Sequence, residues 1–491
     1  MHHLASEFPL WIRATHWINV LFIGFLIRAG IQILGAYPRL YWNDHSIPGT
    51  EWLKFTRRKL QPGGDWTSIE QEIYVTPWLA QPGAENLSAG RHWHFFSVVF
   101  WIANGLAYVI GLFVTGEWDR LVPTSWSIFP HAWHDLITYA TFQTPPLSEF
   151  HPFDPLQQLT YFAVVFLLAP LLILSGLAQS PAMEASQPWL PALFGGRQGA
   201  RSIHFLGMCA FVVFILMHGA MVAHTYLGRN LDDMIFGTPN GNHTLALGIA
   251  ILINAAIVFI YWASSRWSRA HVRETKAVLG PVIRPLLRWL TLHANPRMHF
   301  RHDQISPYHA INGYPPTSDE YARLRDGGFR DWRLEVCGLV EHPRSFTLDQ
   351  IRGMDKSEQI VRHNCIQGWT GIAEWGGIPL QTVVEMCQPL PGARYMVFRS
   401  YQDDASNQPY YESLDVRLAQ KPQFILAYEM NGKPLPERHG APLRLRAETQ
   451  VGFKMVKWLR SIEFVEDFRT IRGGGGGSRE DITYYEQAVP I

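Results

Sequence analysis

Apolar residues form long uninterrupted runs in the first half of the chain and only short runs in the second. A helix that crosses a membrane needs about 20 mainly apolar residues, and five windows before Ser265 satisfy this. They cover, roughly, residues 17–34, 95–115, 159–177, 203–226 and 245–263. We therefore predict an all-α transmembrane helical bundle of about five helices over residues 1–265 of a multi-pass membrane protein.

Two other segments are too polar or too rich in proline for the centre of a membrane. Residues 278–292 contain Pro281, Arg284, Pro285 and Arg288, which predicts an interfacial or linking helix within a linker over residues 266–300. Residues 121–142 are rich in Trp, His and Pro, which favours a place at the membrane surface.

The pattern changes beyond residue 300 to short apolar runs separated by turn residues. Several runs alternate with period 2, which is typical of strands, and residues 380–386 interrupt them as a short helix. This predicts a second domain over residues 301–491, of a mixed, β-rich α+β class. The run GGGGGS at residues 473–478 predicts a flexible stretch near the surface.

Composition excludes some classes of function. The formal net charge is +1, and no stripe of Lys and Arg with interleaved aromatics is present, so we expect no nucleic-acid partner. The four cysteines include no CxxC pair, which argues against a zinc site or a disulfide framework. The N-terminal residues carry neither a secretory signal pattern nor a twin arginine.

Four histidines in the apolar windows lie at two matched depths. If the N-terminus lies on side A and the helices alternate in direction, His16 is near side A, whereas His94 and His204 are near side B. His218 is fourteen residues beyond His204, or about 21 Å closer to side A. Imidazoles paired in this way, His16 with His218 and His94 with His204, predict two six-coordinate haems stacked across the bilayer.

Alternatives remain for individual histidines. A single histidine near a helix end is more often an interfacial or capping residue than a ligand, but four at matching depths favour function, because polar groups inside membranes tend to be functional. His92 competes with His94 as a ligand, and His224 is a spare near side A. A transporter with incidental histidines is a third class of protein that the pattern allows.

The segments RATHWIN, RHWHFF and RSIHF resemble the bacterial di-haem cytochrome b family that serves as membrane subunit of formate dehydrogenases and nickel–iron hydrogenases. The similarity covers about the first 230 residues and favours His94 over His92. It implies two b-type haems, a bacterial inner membrane, and electron exchange with membrane quinone. Arg28 either pairs with a haem propionate or extends its charge to the membrane surface.

The second half resembles the sulfite-oxidase-like molybdopterin domain over nearly its whole length. The resemblance is carried by HAINGYPP, RHNCIQGWTGIAEWGGIPL, AYEMNGKPLPERHGAPLRL and VGFKMVKWLRSIEF. It implies that Cys365 is the catalytic thiolate ligand of molybdenum, since a soft thiolate suits a redox-active metal. Isoleucine, glutamine, glycine and tryptophan follow Cys365, where sulfite oxidases carry arginines, which favours the methionine sulfoxide reductase branch.

The same resemblance implies further site residues. The cofactor would be bound by Asn312, Arg362, His363, Lys454 and Lys457, with the two lysines nearest the pterin phosphate. The substrate would be contacted by Tyr401, Asp403 and Tyr411.

Together these features predict a membrane-bound molybdenum oxidoreductase. It transfers oxygen atoms at a Cys365-ligated molybdopterin centre and exchanges electrons with quinone through two b-type haems. The substrate is a sulfur oxo compound, small molecule or protein, either reduced as a sulfoxide or oxidised as sulfite. The alternative is an electron-transfer cytochrome whose molybdopterin domain is a non-catalytic docking module.

The distribution of Lys and Arg predicts on which side of the membrane the molybdopterin domain lies. Five helices place the molybdopterin domain on side B, near which Lys and Arg are more numerous than near side A, and the positive-inside rule makes that side cytoplasmic. Relatives of both halves often work in the periplasm, so that alternative stays open. The sequence also leaves open whether the protein forms an oligomer.

Overall fold

The computed structural model describes residues 8–61, 64, 66–84, 87–144, 153–291 and 300–487. Its helices are α1 Leu10–Ala36, α2 Leu87–Thr115, α3 Ile128–Ala140, α4 Pro155–Ala178, α5 Pro181–Ser186, α6 Trp189–Ala192, α7 Arg197–His224, α8 Leu227–Ile235, α9 His243–Ala270, α10 Val272–Thr291, α11 Asp319–Asp326, α12 Leu348–Arg352 and α13 Leu380–Cys387. Five of these, α1, α2, α4, α7 and α9, are long and apolar enough to cross a membrane. The predicted helical bundle is confirmed.

Aromatic side chains hold the long helices together. Phe25 of α1 stacks on Trp93 of α2 with 4.9 Å between ring centroids, and its edge meets Tyr261 of α9 at 4.8 Å. The Tyr261 hydroxyl donates to the Leu21 carbonyl at 2.8 Å. Stacked and edge-to-face pairs of this kind add specificity to apolar packing. They fix α1 between α2 and α9.

Helix α10 begins two residues after α9 ends and contains both Pro281 and Pro285. The prolines do not end the helix, because its face bearing Leu279 and Ile283 is buried against the transmembrane helices. The predicted linker over residues 266–300 therefore begins inside α9 and consists mainly of α10. Its residues 292–299 lie outside the described part of the chain.

The second half contains two five-stranded sheets. The strands of the whole chain are β1 Arg39–Leu40, β2 Leu53–Lys54, β3 Arg333–Gly338, β4 Arg344–Thr347, β5 Ser357–Asn364, β6 Thr370–Pro379, β7 Tyr395–Asp403, β8 Pro409–Asp415, β9 Phe424–Met430, β10 Lys433–Pro434, β11 Arg444–Ala447 and β12 Leu459–Val465. One sheet has the order β10-β9-β6-β5, with β11 also paired to β9; the other has the order β4-β3-β12-β7-β8. Only β3 and β12 pair in parallel among these strands. The predicted β-rich α+β domain is confirmed.

The glycine run differs from the prediction of a flexible surface stretch. Gly476, Gly477 and Ser478 are buried, and a Cβ added at Gly477 would meet a Glu412 carboxylate oxygen at 2.2 Å. The Ser413 backbone N–H donates to the Gly476 carbonyl at 2.9 Å. The glycines let the chain pass through a closely packed site, where any side chain would collide with its neighbours.

The two halves are packed directly against each other. One buried apolar cluster contains Tyr37, Tyr41 and Trp66 from the loop after α1 together with Cys365 and Trp369 from the sheet domain. Arg362 of β5 forms ion pairs with Asp44, at 3.2 Å, and with Glu184 of α5. These contacts place the sheet domain on the membrane side that carries the C-terminal end of α1 and the N-terminal ends of α2 and α7.

Candidate functional site

The structure brings the four predicted histidines together as two pairs. The ring centroids of His16 and His218 are 6.3 Å apart, and those of His94 and His204 are also 6.3 Å apart. A metal–imidazole nitrogen bond is about 2 Å, and the ring centre lies about 1 Å further out, so two rings across one metal ion have centres about 6 Å apart. Both pairs fit a bis-histidine haem.

Hydrogen bonds at Nδ1 orient two of these rings. His204 Nδ1 lies 3.1 Å from both the Leu172 carbonyl and the Ser175 hydroxyl of α4, and His218 Nδ1 lies 3.2 Å from the Tyr161 hydroxyl. An imidazole that donates from Nδ1 to a carbonyl keeps its lone pair on Nε2, the nitrogen that then binds a metal. Helix α4 therefore supports α7 without supplying a ligand.

The competing histidines point elsewhere. His92 Nδ1 bonds the Ser88 carbonyl at 2.8 Å, and its ring lies 5.5 Å from that of Tyr484. His224 packs against Phe142 at 6.1 Å.

The Arg28 guanidinium donates to the carbonyls of Pro77 and Ala80 and to a serine hydroxyl, so it holds a loop on side B.

Cys365 lies in a tight loop between the antiparallel strands β5 and β6. The Cys365 N–H donates to the Trp369 carbonyl at 3.1 Å, and the Gly368 N–H donates to the Cys365 carbonyl at 3.1 Å. The side chain is 2% exposed, and Asn312 Nδ2 lies 3.8 Å from its sulfur. Burial raises the pKa of the Cys365 thiol to about 11. A bound cation would be needed to stabilise the thiolate at neutral pH.

A buried basic cluster lies beside this loop. It consists of His309, His363, His439, Arg444, Arg446 and Lys457. The His309 ring lies 5.7 Å from that of His363 and 5.5 Å from that of His439. Burial, with Arg446 and Arg444 nearby, lowers the pKa of His309 to about 3. Glu448 pairs with Arg446 at 2.6 Å, whereas Arg444 and Lys457 form no ion pair within the described part of the chain. Their positive charge fits an anionic ligand such as the pterin phosphate.

Unpaired polar atoms support the same conclusion. His309 Nε2, His363 Nδ1, Arg444 Nε and the Trp375 indole N–H are buried and have no hydrogen-bond partner among the described residues. Buried polar groups in folded proteins nearly always have partners. The residues present therefore fit a polar, anionic cofactor next to Cys365.

The predicted cofactor residues fall into two groups. Asn312, His363 and Lys457 adjoin Cys365 or the basic cluster, and Lys457 Nζ donates to the Asn312 carbonyl at 2.5 Å. Lys454 is fully buried and paired with Glu412, at 2.8 Å, and with Glu480. Arg362 is engaged by two carboxylates of the membrane half. Both of these cations already have counter-ions.

The three predicted substrate residues lie together but on the other sheet. The Tyr411 hydroxyl donates to Asp481 Oδ2 at 2.7 Å, and the Tyr401 ring packs against Tyr321 at 5.9 Å. Asp403 ends β7, opposite Pro409 of β8. Tyr411 thus contacts residues 471–481 and Tyr401 contacts α11, whereas Cys365 directly follows β5.

Four residues of the basic cluster were missed by the sequence argument: His309, His439, Arg444 and Arg446. The signal was present in PLRLRA, where two arginines alternate with leucines on a strand. This strand is β11, and all four of its residues are buried, so both arginines point into the protein. Buried arginines mark an ion pair or an anion site.

Helix α7 connects the two kinds of site. The Gln198 side-chain N–H donates to the Gly368 carbonyl at 2.7 Å, and a Cβ added at Gly368 would lie 3.0 Å from the Arg201 guanidinium carbon. His204 is six residues after Gln198 on the same helix. The loop that carries Cys365 therefore rests on the end of the helix that carries two of the predicted haem ligands.

Comparison with known families divides the chain into the same two halves as the structure does. Residues 7–237 match the family described as prokaryotic cytochrome b561, and residues 323–470 match the oxidoreductase molybdopterin-binding domain. The chain is a fusion of these two domains. The predicted combination of a cytochrome b domain and a molybdopterin oxidoreductase domain is thereby confirmed.

Individual relatives match parts of the fusion. It is 33% identical over 28% of its length to the putative protein-methionine-sulfoxide reductase subunit YedZ1 of Azospira oryzae, covering 51% of that protein. It is 37% identical over 28% of its length to the protein-methionine-sulfoxide reductase catalytic subunit MsrP of Xanthomonas campestris, covering 45% of it. The chain thus spans about half the length of these curated relatives.

Among solved structures, the fusion resembles the sulfane dehydrogenase SoxCD of Paracoccus pantotrophus. The similarity is 24% in sequence, with a TM-score of 0.26, over 28% of this chain and 39% of that one. At this TM-score the likeness carries no argument about function.

Proposed function

We propose that the fusion reduces sulfoxides, with methionine sulfoxide in peptides or proteins as the substrate class, using electrons from membrane quinol. The overall reaction balances: sulfoxide and quinol give sulfide, quinone and water. Relatives of the sheet domain are named as methionine sulfoxide reductases, and a sulfoxide is neutral, as suits the lack of arginines just after Cys365.

The observation that carries the proposal is the contact between Gln198 and Gly368. It places the Cys365 loop against α7, and His204 lies about 9 Å further along that helix. His94 and His204 would hold the haem nearer to Cys365, and His16 and His218 would hold the one further from it. Haems bound there would supply one-electron transfer between quinol and the molybdenum centre. Quinol would donate its electrons at the membrane half.

A molybdenum–pterin centre bound at Cys365 would supply the site of oxygen-atom exchange and two-electron storage. Cys365 would hold it through its sulfur, with Asn312 beside that sulfur. The basic cluster would bind the phosphate of the pterin, and the His309 and His363 nitrogens would find partners there. Tyr37, Trp66 and Trp369 close the loop with apolar surface and restrict water.

We also propose that side B, where the sheet domain lies, is the cytoplasm. The excess of Lys and Arg near that side supports this orientation.

The test is an anaerobic titration of purified protein. Quinol is expected to reduce the b-type haems, and methionine sulfoxide is then expected to reoxidise them with formation of the sulfide. Cys365→Ser is expected to keep the haem spectrum and lose the reoxidation. Cys387→Ser, another buried cysteine of the same domain, serves as the matched control.

Two results would contradict the proposal. If sulfite reduced the oxidised haems and methionine sulfoxide left the reduced haems unchanged, the enzyme would run in the oxidative direction. If protein with full haem content held little molybdenum and reacted with neither compound, the sheet domain would be a docking module.

A further inference from the structure

Residues 471–487 follow the segment that matches the molybdopterin-binding family, which ends at residue 470. They turn back into the protein through the glycine run, where the Ser478 N–H donates to the Tyr411 carbonyl at 2.9 Å. Beyond it, the Tyr484 hydroxyl donates to the Ser268 carbonyl of α9 at 2.8 Å, and the Tyr484 N–H donates to the Ser88 hydroxyl of α2 at 3.1 Å. This segment is fixed at both of its ends.

The segment places Arg479 at the edge of the cluster that contains Cys365. The guanidinium carbon of Arg479 lies 6.0 Å from the Phe453 ring, which is 4.8 Å from the ring of Tyr485. Tyr485 and Cys365 belong to the same buried cluster, and Phe453 packs against it. The positive charge of Arg479 therefore lies within electrostatic reach of the Cys365 sulfur.

The Arg479 guanidinium has hydrogen-bond donors that no described residue uses, although carboxylates lie nearby. Its acidic neighbours Glu412 and Glu480 both accept from Lys454, and Tyr410 donates to Glu412 at 2.5 Å. Across the part of the chain that the structure describes, the Arg479 guanidinium forms no hydrogen bond or ion pair. An arginine has five N–H donors, so the cation has unused capacity to bind an oxygen acceptor.

The hydroxyl of Tyr485 is a second unused donor. Its side chain is 6% exposed, and its oxygen has no hydrogen-bond partner within the described ranges. Leaving a buried polar group unpaired costs about 1–3 kcal/mol. Unused donors on Tyr485, inside the cluster that contains Cys365, and on Arg479, at its edge over the Phe453 ring, indicate a polar ligand between them.

We propose that the Arg479 guanidinium and the Tyr485 hydroxyl bind the oxygen of the substrate beside Cys365. The proposal rests on the proposed function: a sulfoxide oxygen carries partial negative charge and accepts from both donors. The sulfide product has no such oxygen, so it loses both hydrogen bonds and leaves. This arginine belongs to a segment more than one hundred residues away from Cys365 and not to the residues that directly follow it.

The experiment measures binding separately from turnover. Methionine sulfone, a non-reducible analogue, is titrated into the holoenzyme by calorimetry, and KM and kcat are measured with methionine sulfoxide. Arg479→Gln is expected to weaken sulfone binding by about 10- to 100-fold, the effect of losing a hydrogen bond to a charged group. Arg479→Lys is expected to lose less, and Tyr485→Phe about 3- to 10-fold, with KM rising more than kcat falls.

Arg472→Gln is the matched control. Arg472 lies in the same segment, but it is paired with Asp404 at 2.7 Å and lies over the Tyr411 ring. It is expected to leave sulfone affinity unchanged. Molybdenum and haem contents are measured for every variant, and both are expected to equal those of the wild type.

Several outcomes would overturn the proposal. They are unchanged sulfone affinity in Arg479→Gln together with Tyr485→Phe, an equal loss in Arg472→Gln, or loss of molybdenum from the Arg479 variants, which would make Arg479 a cofactor ligand. If the wild type binds sulfite in an Arg479-dependent way but neither binds sulfone nor reduces sulfoxide, the oxygen-binding role stands and the proposed function fails.

Discussion

Gln198 donates its side-chain N–H to the carbonyl of Gly368 at 2.7 Å, which joins a transmembrane helix to the loop that carries Cys365. Gly368 has φ +117° and lies against Arg201 of the same helix, so a side chain at this position would be strained and crowded. Helix α7 also carries His204 and His218. One continuous helix thus runs from the candidate molybdenum site past both candidate haem sites.

Replacing Gln198 with leucine is expected to slow electron transfer from reduced haem to sulfoxide. The variant removes a hydrogen bond worth about 1 kcal/mol and leaves the Gly368 carbonyl unpaired, so the equilibrium constant for docking of the Cys365 loop on α7 falls about fivefold. Stopped-flow reoxidation of the haems measures the rate. Gln158→Leu, which removes a similar bond to the Asp119 carbonyl on side A, is the control. An unchanged rate in Gln198→Leu would exclude this route.

Haem content tests the assignment of ligands. His94→Ala and His204→Ala are each expected to leave one haem per chain, because each breaks the same pair. His92→Ala is expected to retain both haems, since His92 bonds the Ser88 carbonyl and faces Tyr484. The pyridine haemochrome assay and a redox titration measure the number of haems. Loss of a haem from His92→Ala would show that the competing histidine is the ligand.

The two lysines predicted to bind the phosphate are expected to behave differently. Lys454→Met breaks the ion pairs of the buried Glu412 and Glu480, which costs about 3–5 kcal/mol of folding free energy. Lys457→Met removes one cation from the basic cluster and is expected to lower molybdenum content while the unfolding midpoint changes little. Thermal unfolding and metal analysis of both variants separate the effects. A stable Lys454→Met protein without molybdenum would support Lys454 as the phosphate ligand.

The exposed Cys337 of β3 reports the side of the membrane. If the sheet domain is cytoplasmic, a membrane-impermeant maleimide is expected to label Cys337 only after spheroplasts are lysed. Cys365 and Cys387 are buried, so Cys337→Ser is expected to abolish most labelling. Labelling of intact spheroplasts would place the domain in the periplasm.

Much of the membrane half could be predicted from the sequence, because lipid imposes a simple rule of length and polarity. The depth argument for His16, His94, His204 and His218 needed only the rise of a helix and alternating direction, and the structure brings the same pairs together. The hydrophobic pattern did not indicate that α4 supports α7. The contacts that α4 makes with the two histidines of α7 use only one serine, one tyrosine and one backbone carbonyl.

Less of the sheet domain could be predicted from the sequence. The resemblance led to Cys365, but the lysine pairings depend on Glu412 and Glu480, which are 42 and 26 residues from Lys454. Ion pairs between residues so far apart along the chain leave no local pattern in the sequence. The prediction of a flexible glycine run was wrong for a related reason. Glycine is favoured both in flexible segments and where the chain passes through a closely packed site, so the sequence does not distinguish the two.

Tyr485 forms part of the wall around Cys365, and the loop after α1 forms another part. The wall around Cys365 is therefore complete only after the segment that contains Tyr485 has been synthesised, and by then all five long helices of the membrane half have already left the ribosome.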